Sequence, residues 1–295
     1  FSHDSHHPGV FGFDQWLSVT NFFDRNPVMS RQGKFLEFKG DSSEIIVAEA
    51  LKFIGAQAAQ ETPSFTVIWY GTPHSPWMAA AADKTTFPNL DNDSQNHYGE
   101  LVAMDRSVGA LRKGLRDLKI ADNTLVWFCS DNGGLPKITP ETVGGLRDFK
   151  GSLYEGGLRV PAIIEWPNGI KKPRVTKFPS CTMDIFPTIA QVVGLPESAM
   201  LQPQDGISLK GLLNQELGDR AKPIPFNCFG NTALVDNHYK LLHVGPRRSQ
   251  ALKRYELYNL ADDPQETTNL MEKNPDIAKR MQTAMNAWKQ SMQAS

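Results

Sequence analysis

The sequence predicts an α/β layer protein, with a mostly parallel sheet covered by helices and a small antiparallel sheet plus a helix at the C-terminal end. Three observations predict it. Segments of helical spacing alternate with short apolar runs through the first two thirds of the chain. Those runs are almost wholly hydrophobic, as parallel strands covered on both faces are. From about residue 223 the alternation gives way to short β-like pieces.

The first helix is read at 42–60, SSEIIVAEALKFIGAQAAQ, where Ser and Glu supply capping chemistry and apolar residues recur at helical spacing. SFTVIWY, 64–70, is β-branched and aromatic and reads as a strand. The order repeats. HYGELVAMDRSVGALRKGLRDL, 97–118, sets Leu101, Met104, Val108, Leu111 and Leu115 on one helical face, and TLVWFCS, 124–130, follows as a strand after the turn IADN. VPAIIEWP, 160–167, reads as a third strand, and MDIFPTIAQVVG, 183–194, as a helix capped by Asp184 and stopped at Gly194. IPFNCFGN, HYKLLHV and RYELYNL, with the amphipathic stretch 273–292, form the small sheet and its closing helix. Two domains follow, 1–222 and 223–295. Segments 8–40, 72–95 and 133–159 read as long loops, where sites are commonly built.

Of 295 residues, 40% are hydrophobic and 21% charged, the makeup of a folded globular protein. With 31 basic and 32 acidic residues, a net charge of -1 and no basic block, the composition argues against a nucleic-acid or membrane partner. Cys129, Cys181 and Cys228 lack metal or disulfide spacing and read as buried thiols.

Three segments carry chemistry. Asp131 and Asn132 stand where strand 124–130 runs out, the end at which open parallel sheets collect ligands. A carboxylate beside an amide offers hard oxygen donors suited to Ca²⁺ or Mg²⁺, although Asp-Asn-Gly is also ordinary turn chemistry. GGLRDFKGSLYEGGLRVP, 144–161, is a glycine-punctuated loop whose Arg147, Lys150 and Arg159 suit an oxyanion, or merely solvate the loop. YGTPHSPW, 70–77, places His74 just past a strand end, where an imidazole can protonate a leaving oxygen near neutral pH or simply hydrogen-bond the loop.

TLVWFCSDNGG, GLRDFKGSLYEGGLRVP, TPHSPW, the early HPGVFGFDQW and the late YELYNLADDPQETTNL together resemble, in order and over nearly the whole chain, the type I sulfatase family of the alkaline-phosphatase-like superfamily. The resemblance implies that superfamily's fold and hydrolysis of a small-molecule or glycan sulfate ester. It implies a cysteine-derived formylglycine hydrate attacking sulfur, a Ca²⁺ ion with Asp131 and Asn132 among its ligands, His74 protonating the leaving alcohol, and Lys150 contacting the sulfate, with Arg147 beside it. By the same resemblance His243, with Arg247 and Arg248, is a candidate substrate contact in the C-terminal subdomain, and the protein is expected to be secreted or periplasmic.

The family's nucleophile motif, Cys-x-Pro-x-Arg or its Ser equivalent, does not occur in the sequence, nor do the paired aspartates and the Lys-x-His segment that accompany it. The expectation is a chain that starts just after them, with a half-built metal site, a sheet short of a central strand, and no sulfate turnover by itself. Two other readings stay open: a phosphate or phosphonate monoester hydrolase of the same superfamily, and an inactive chain that holds a sulfated glycan.

Overall fold

In the computed structural model, which describes residues 6–19, 25–245 and 254–294, the chain forms two units: residues up to 124 with 138–140, and residues 125–137 with 141–295. In the first, β1 (Leu17–Ser18), β2 (Val28–Arg31) and β3 (Lys34–Glu37) make a three-stranded antiparallel sheet inside the segment read as loop. Its hairpin closes in two residues. Arg31 pairs with Lys34, and Gln32 and Gly33 between them take φ of 50° and 90°, the doubly positive geometry that follows strand twist. Gln where Asn is usual hid the turn in the sequence.

Helix α1 (Ser42–Ala59) is capped by Asp41, whose Oδ1 accepts the Ser43 N–H at 2.8 Å. The short α2 (Ala81–Lys84) precedes α3 (Asn92–Asp117), which starts five residues before the sequence reading because Asp91 caps it through the Ser94 N–H at 3.0 Å. Of the apolar positions expected on its inner face, Leu101, Met104, Val108 and Leu111 are half-buried and Leu115 is buried. The deepest stripe is instead largely polar: Asn96, His97, Glu100, Ala103 and Ser107.

Residues 64–70 join no ladder among the described residues, so the strand expected there is not formed. A strand is defined by hydrogen bonds to a neighbour, and apolar alternation alone does not supply one. Phe65, Val67 and Trp69 stay exposed, Trp69 at 86%.

In the second unit, β4 (Val126–Cys129) and β5 (Ala162–Glu165) pair antiparallel, Phe128 opposite Ile163, which corrects the parallel pairing expected of these runs. The reason lies in the connection, which carries α4 (Glu155–Leu158). Ser130 N–H bonds Pro161 O and Gly133 N–H bonds Gly157 O, so the chain leaves and returns at the same end of the pair.

Helix α5 (Ile185–Val192) follows. Asp184 makes no side-chain cap to it; its carboxylate accepts from the Cys181 and Ile207 backbones and, at 2.8 Å on each oxygen, from Arg220. This pair is 0% and 4% exposed, so each charge is satisfied by the other and by backbone. The three cysteines are free and half-buried, less enclosed than expected.

A small antiparallel C-terminal sheet forms as expected, with one strand more than the three pieces read from the sequence: β6 (Ile224–Cys228), the additional β7 (Asn231–Asp236), β8 (Tyr239–Val244) and β9 (Arg254–Asn259) pair in chain order. Helix α6 (Pro275–Ala294) covers one face, Ala278, Met281 and Met285 packing on Leu234, Leu241 and Leu257. The alternate residues Ala233, Leu242 and Tyr258 pack with Leu153 of the long loop, so the sheet is buried on both faces. No helix among the described residues is long and apolar enough to cross a membrane.

Glu100 gives a pH signature. Burial pushes its carboxyl up to about 8, so the folded chain keeps it protonated where the unfolded chain ionises it. Its contribution is therefore complete below the ordinary carboxylate range and is lost as pH rises toward about 8. Thermal melts between pH 5 and pH 8.5, roughly the window this linkage spans, should show the melting temperature of the native chain falling more steeply than that of Glu100→Gln.

Candidate active site

Strand β4 ends at Cys129, and the turn that follows is set by backbone contacts. Ser130 Oγ donates to Asn132 O at 2.9 Å, Gly133 N–H donates to Gly157 O at 3.0 Å, and Gly134 O accepts the Lys150 N–H at 2.9 Å. The turn bearing Asp131 and Asn132 is thus sewn to the loop bearing Lys150.

Only glycine permits this approach. A Cβ on Gly133 would lie 1.9 Å from Gly156 O, one on Gly156 2.1 Å from Asp148 O, and one on Gly157 2.3 Å from Ser152 O, all against backbone that cannot swing aside. The motif glycines are therefore contact points between two backbones.

The loop is anchored in turn to the C-terminal sheet. Lys240 on β8, 0% exposed, donates from Nζ to Glu155 Oε1 at 2.9 Å and stands 2.9 Å from Glu266 Oε1, off the hydrogen-bonding direction. Glu266 Oε2 accepts the Glu155 N–H at 2.6 Å. Burial lifts the Glu266 carboxyl above its ordinary value against the opposing pull of Lys240.

Beside this lies a second cluster. Tyr154 and Tyr258 donate their hydroxyls to Glu256 Oε2 at 2.7 and 2.8 Å, and Arg254 donates to the other oxygen at 2.6 Å. Burial pushes Glu256 up, but these three hydrogen bonds outweigh it and hold the carboxyl below its usual value. Burial and the Glu256 contact push the Tyr258 hydroxyl up to about 12.

Arg147, expected to face an oxyanion, is turned to the sheet. It donates to Tyr258 Oη at 3.0 Å and Glu266 O at 2.8 Å, with its guanidinium carbon 3.7 Å from the centre of the Tyr154 ring.

The structure therefore joins Asp131, Asn132, Arg147 and Lys150 in one loop assembly of the second unit. His74 belongs to the first unit. Its N–H donates to Gly71 O at 3.0 Å, and its Nδ1 lies 2.7 Å from Ser75 O. A carbonyl only accepts, so Nδ1 is the donor in this contact. His243 sits on β8, its ring stacked on Tyr255 with centroids 4.3 Å apart and its Nδ1 3.4 Å from Lys289 Nζ. Arg247 and Arg248 lie outside the described residues. Sequence reasoning passed over Lys240, Glu155, Glu256 and Glu266, which carry no motif.

The turn's chemistry is of the kind that Ca²⁺ or Mg²⁺ takes. Asp131 and Asn132 present hard oxygens, and no hydrogen bond or ion pair among the described residues occupies either side chain. Two donors are part of a shell of six to eight, on the usual count for Ca²⁺, and the described residues contain no cluster of three or more His, Cys, Asp or Glu able to hold a metal.

The anchor makes a stability prediction. Lys240→Met strips two buried carboxylates of their cation and should cost about 3–5 kcal/mol; urea unfolding of native and variant chains checks this, and an unchanged midpoint would show that Lys240 holds nothing in place.

Comparison with known proteins bears on the whole chain. Residues 1–195 match the family profile described as Sulfatase, and residues 145–291 match that described as N-sulphoglucosamine sulphohydrolase, C-terminal. The N-acetylgalactosamine-6-sulfatase of Sus scrofa is 33% identical over 233 residues, 77% of this chain and 42% of that one. A sulfatase of Formosa agariphila is 31% identical over 272 residues, 80% of this chain and 48% of that one. The chain thus spans less than half the length of these curated relatives. Among solved structures, Ps i-CgsB superposes with a TM-score of 0.84 at 26% identity over 96% of this chain and 68% of that one, and has also been solved with k-i-k-neocarrahexaose. The phosphonate monoester hydrolase of Agrobacterium radiobacter shares the fold alone, at 18% identity and a TM-score of 0.53. The fold is alkaline-phosphatase-like, and the chain belongs to the sulfatase family.

Proposed function

We propose that the protein hydrolyses sulfate esters of a carbohydrate, with calcium bound at the Asp131–Asn132 turn. The observation that carries this reading is the fastening of that turn to the Lys150 loop by Gly133, Gly156 and Gly157. Hydrolysis moves negative charge onto the sulfate oxygens and the departing oxygen, so it calls for fixed positive charge at the first and a proton at the second. Calcium, when bound, supplies part of that charge as a Lewis acid. Lys150 supplies more as a point charge toward the oxyanion. Arg147 holds the loop to the C-terminal sheet, and Asp131 and Asn132 direct their oxygens to the cation. His74 donates a proton from Nε2 to the leaving alcohol, with Nδ1 kept in place by Ser75 O. His243 serves as a substrate contact from β8.

The sugar class rests on the relatives, one acting on N-acetylgalactosamine 6-sulfate by its name and one solved with a neocarrahexaose. The nucleophile is assigned to none of the cysteines here, since none stands in Cys-x-Pro-x-Arg. We place it in sequence that the longer relatives have and these residues lack, in the form of a formylglycine.

The test is sulfate release from 4-nitrophenyl sulfate by the protein as its source makes it, beside 4-nitrophenyl phosphate. Sulfate is expected to be the better substrate, Lys150→Ala to lower kcat by about 10²–10³-fold as loss of one charge-stabilising donor does, and chelation of calcium to remove activity that added calcium restores. Preference for phosphate would give the site to the phosphomonoester hydrolases. No turnover, with retained affinity for a sulfated oligosaccharide, would make it a binding protein.

A further inference from the structure

We infer that Glu100 is a positioning residue for His74, acting through the segment Trp77–Ala79; this rests on the role proposed above for His74. The first turns of α3 put Asn96, His97 and Glu100 on a buried stripe, 8%, 3% and 2% exposed. Each meets one residue of the segment. Glu100 Oε1 accepts the Met78 N–H, Asn96 Oδ1 accepts the Ala79 N–H at 3.2 Å, and the His97 ring meets Trp77 edge-on with centroids 5.9 Å apart.

The fit is close: a Cβ on Gly99 would lie 2.6 Å from the Ala79 Cβ, so the helix reaches the segment only because residue 99 is glycine. Trp77 carries the restraint back toward the histidine, its Nε1 donating at 2.9 Å to the carbonyl of Pro73, the residue before His74. On the other side Thr72 Oγ1 meets Ser43 Oγ of α1 at 3.0 Å. The loop bearing His74 is thus held at both ends by buried polar contacts.

Glu100 is a costly way to make one hydrogen bond. Its Oε2 has no partner among the described residues, nor has His97 Nδ1, and such buried orphans cost free energy that an apolar residue would not. A helix built only for packing would not retain them. The bond to the Met78 N–H needs a side-chain oxygen at that depth, and the raised carboxyl described above keeps the group neutral while it accepts.

Leaving-group dependence tests this. Phenyl sulfate expels a basic oxygen that needs a proton, whereas the nitro group stabilises the oxygen expelled from 4-nitrophenyl sulfate. Misplacing the acid therefore lowers the ratio of kcat/KM for phenyl over 4-nitrophenyl sulfate, and a merely destabilised enzyme loses both alike. Glu100→Ala is expected to lower the ratio about tenfold or more, as displacement of a catalytic group by a fraction of an ångström does. Glu100→Gln, which keeps an oxygen for Met78, is expected to restore it, and His74→Ala to lower it further. If His74→Ala changes the ratio and Glu100→Ala does not, the inference falls and the His74 reading stands. If His74→Ala leaves the ratio unchanged, that reading falls and takes the inference with it. Should Glu100→Ala not fold, Asn96→Ala, which removes the Ala79 bond, is read the same way.

Discussion

The ammonium of Lys240 is the point from which the second unit is organised. It lies within a sheet covered by α6 on one face and by the 144–158 loop on the other, with no solvent to screen it. A bare ammonium there would be untenable, and so would the carboxylates of Glu155 and Glu266 without it. Charge pairing therefore fixes the loop to the sheet in one register, because moving the loop by one residue would separate Glu155 from the only buried cation it meets. Apolar contacts such as Leu153 on Leu242 supply area but accept neighbouring registers. The ion pair selects among them.

That selection reaches the candidate site through backbone. Glu155 is followed by Gly156 and Gly157, which fold closely on residues 147–152 of their own loop and whose carbonyls the 131–134 turn meets through Gly133, which has no side chain to hold them off. Fixing Glu155 therefore fixes the floor on which Asp131 and Asn132 stand, and Arg147 and Tyr154 fix the same loop through Glu256 and Tyr258. The arrangement ties a sheet distant in sequence to the end of β4 that bears Asp131 and Asn132. Rigid support of this kind lets the 131–134 turn and the loop that carries Lys150 keep their spacing through backbone contacts.

What the sequence disclosed follows from which interactions are local. The Asp131–Asn132 turn was legible because strand, acid, amide and glycines are adjacent in the chain, and the C-terminal sheet because its strands pair in order. The direction of β4 against β5 was not, since apolar runs look alike in parallel and antiparallel pairs and the deciding bonds join Ser130 to Pro161. Lys240 was equally hidden. In YKLLHV a lysine reads as the solvent side of a half-buried strand, and only the loop packed on that side buries it. Arg147 shows the converse: a cation in a site motif is open to either partner, and here two tyrosines and a carbonyl take it. Glu100 looked like the wet face of an amphipathic helix because its partner, the Met78 N–H, lies a loop away.

The unpaired stretch 64–70 bears on the protein as a material. SFTVIWY carries no charge and no proline, its amides join no ladder among the described residues, and Phe65 and Trp69 face outward, 60% and 86% exposed. Such an edge is a template on which another strand can assemble, and a run of this length and composition can stack on copies of itself. At high concentration such a segment favours self-association, and wherever a strand covers it the same chemistry becomes a seam of the fold.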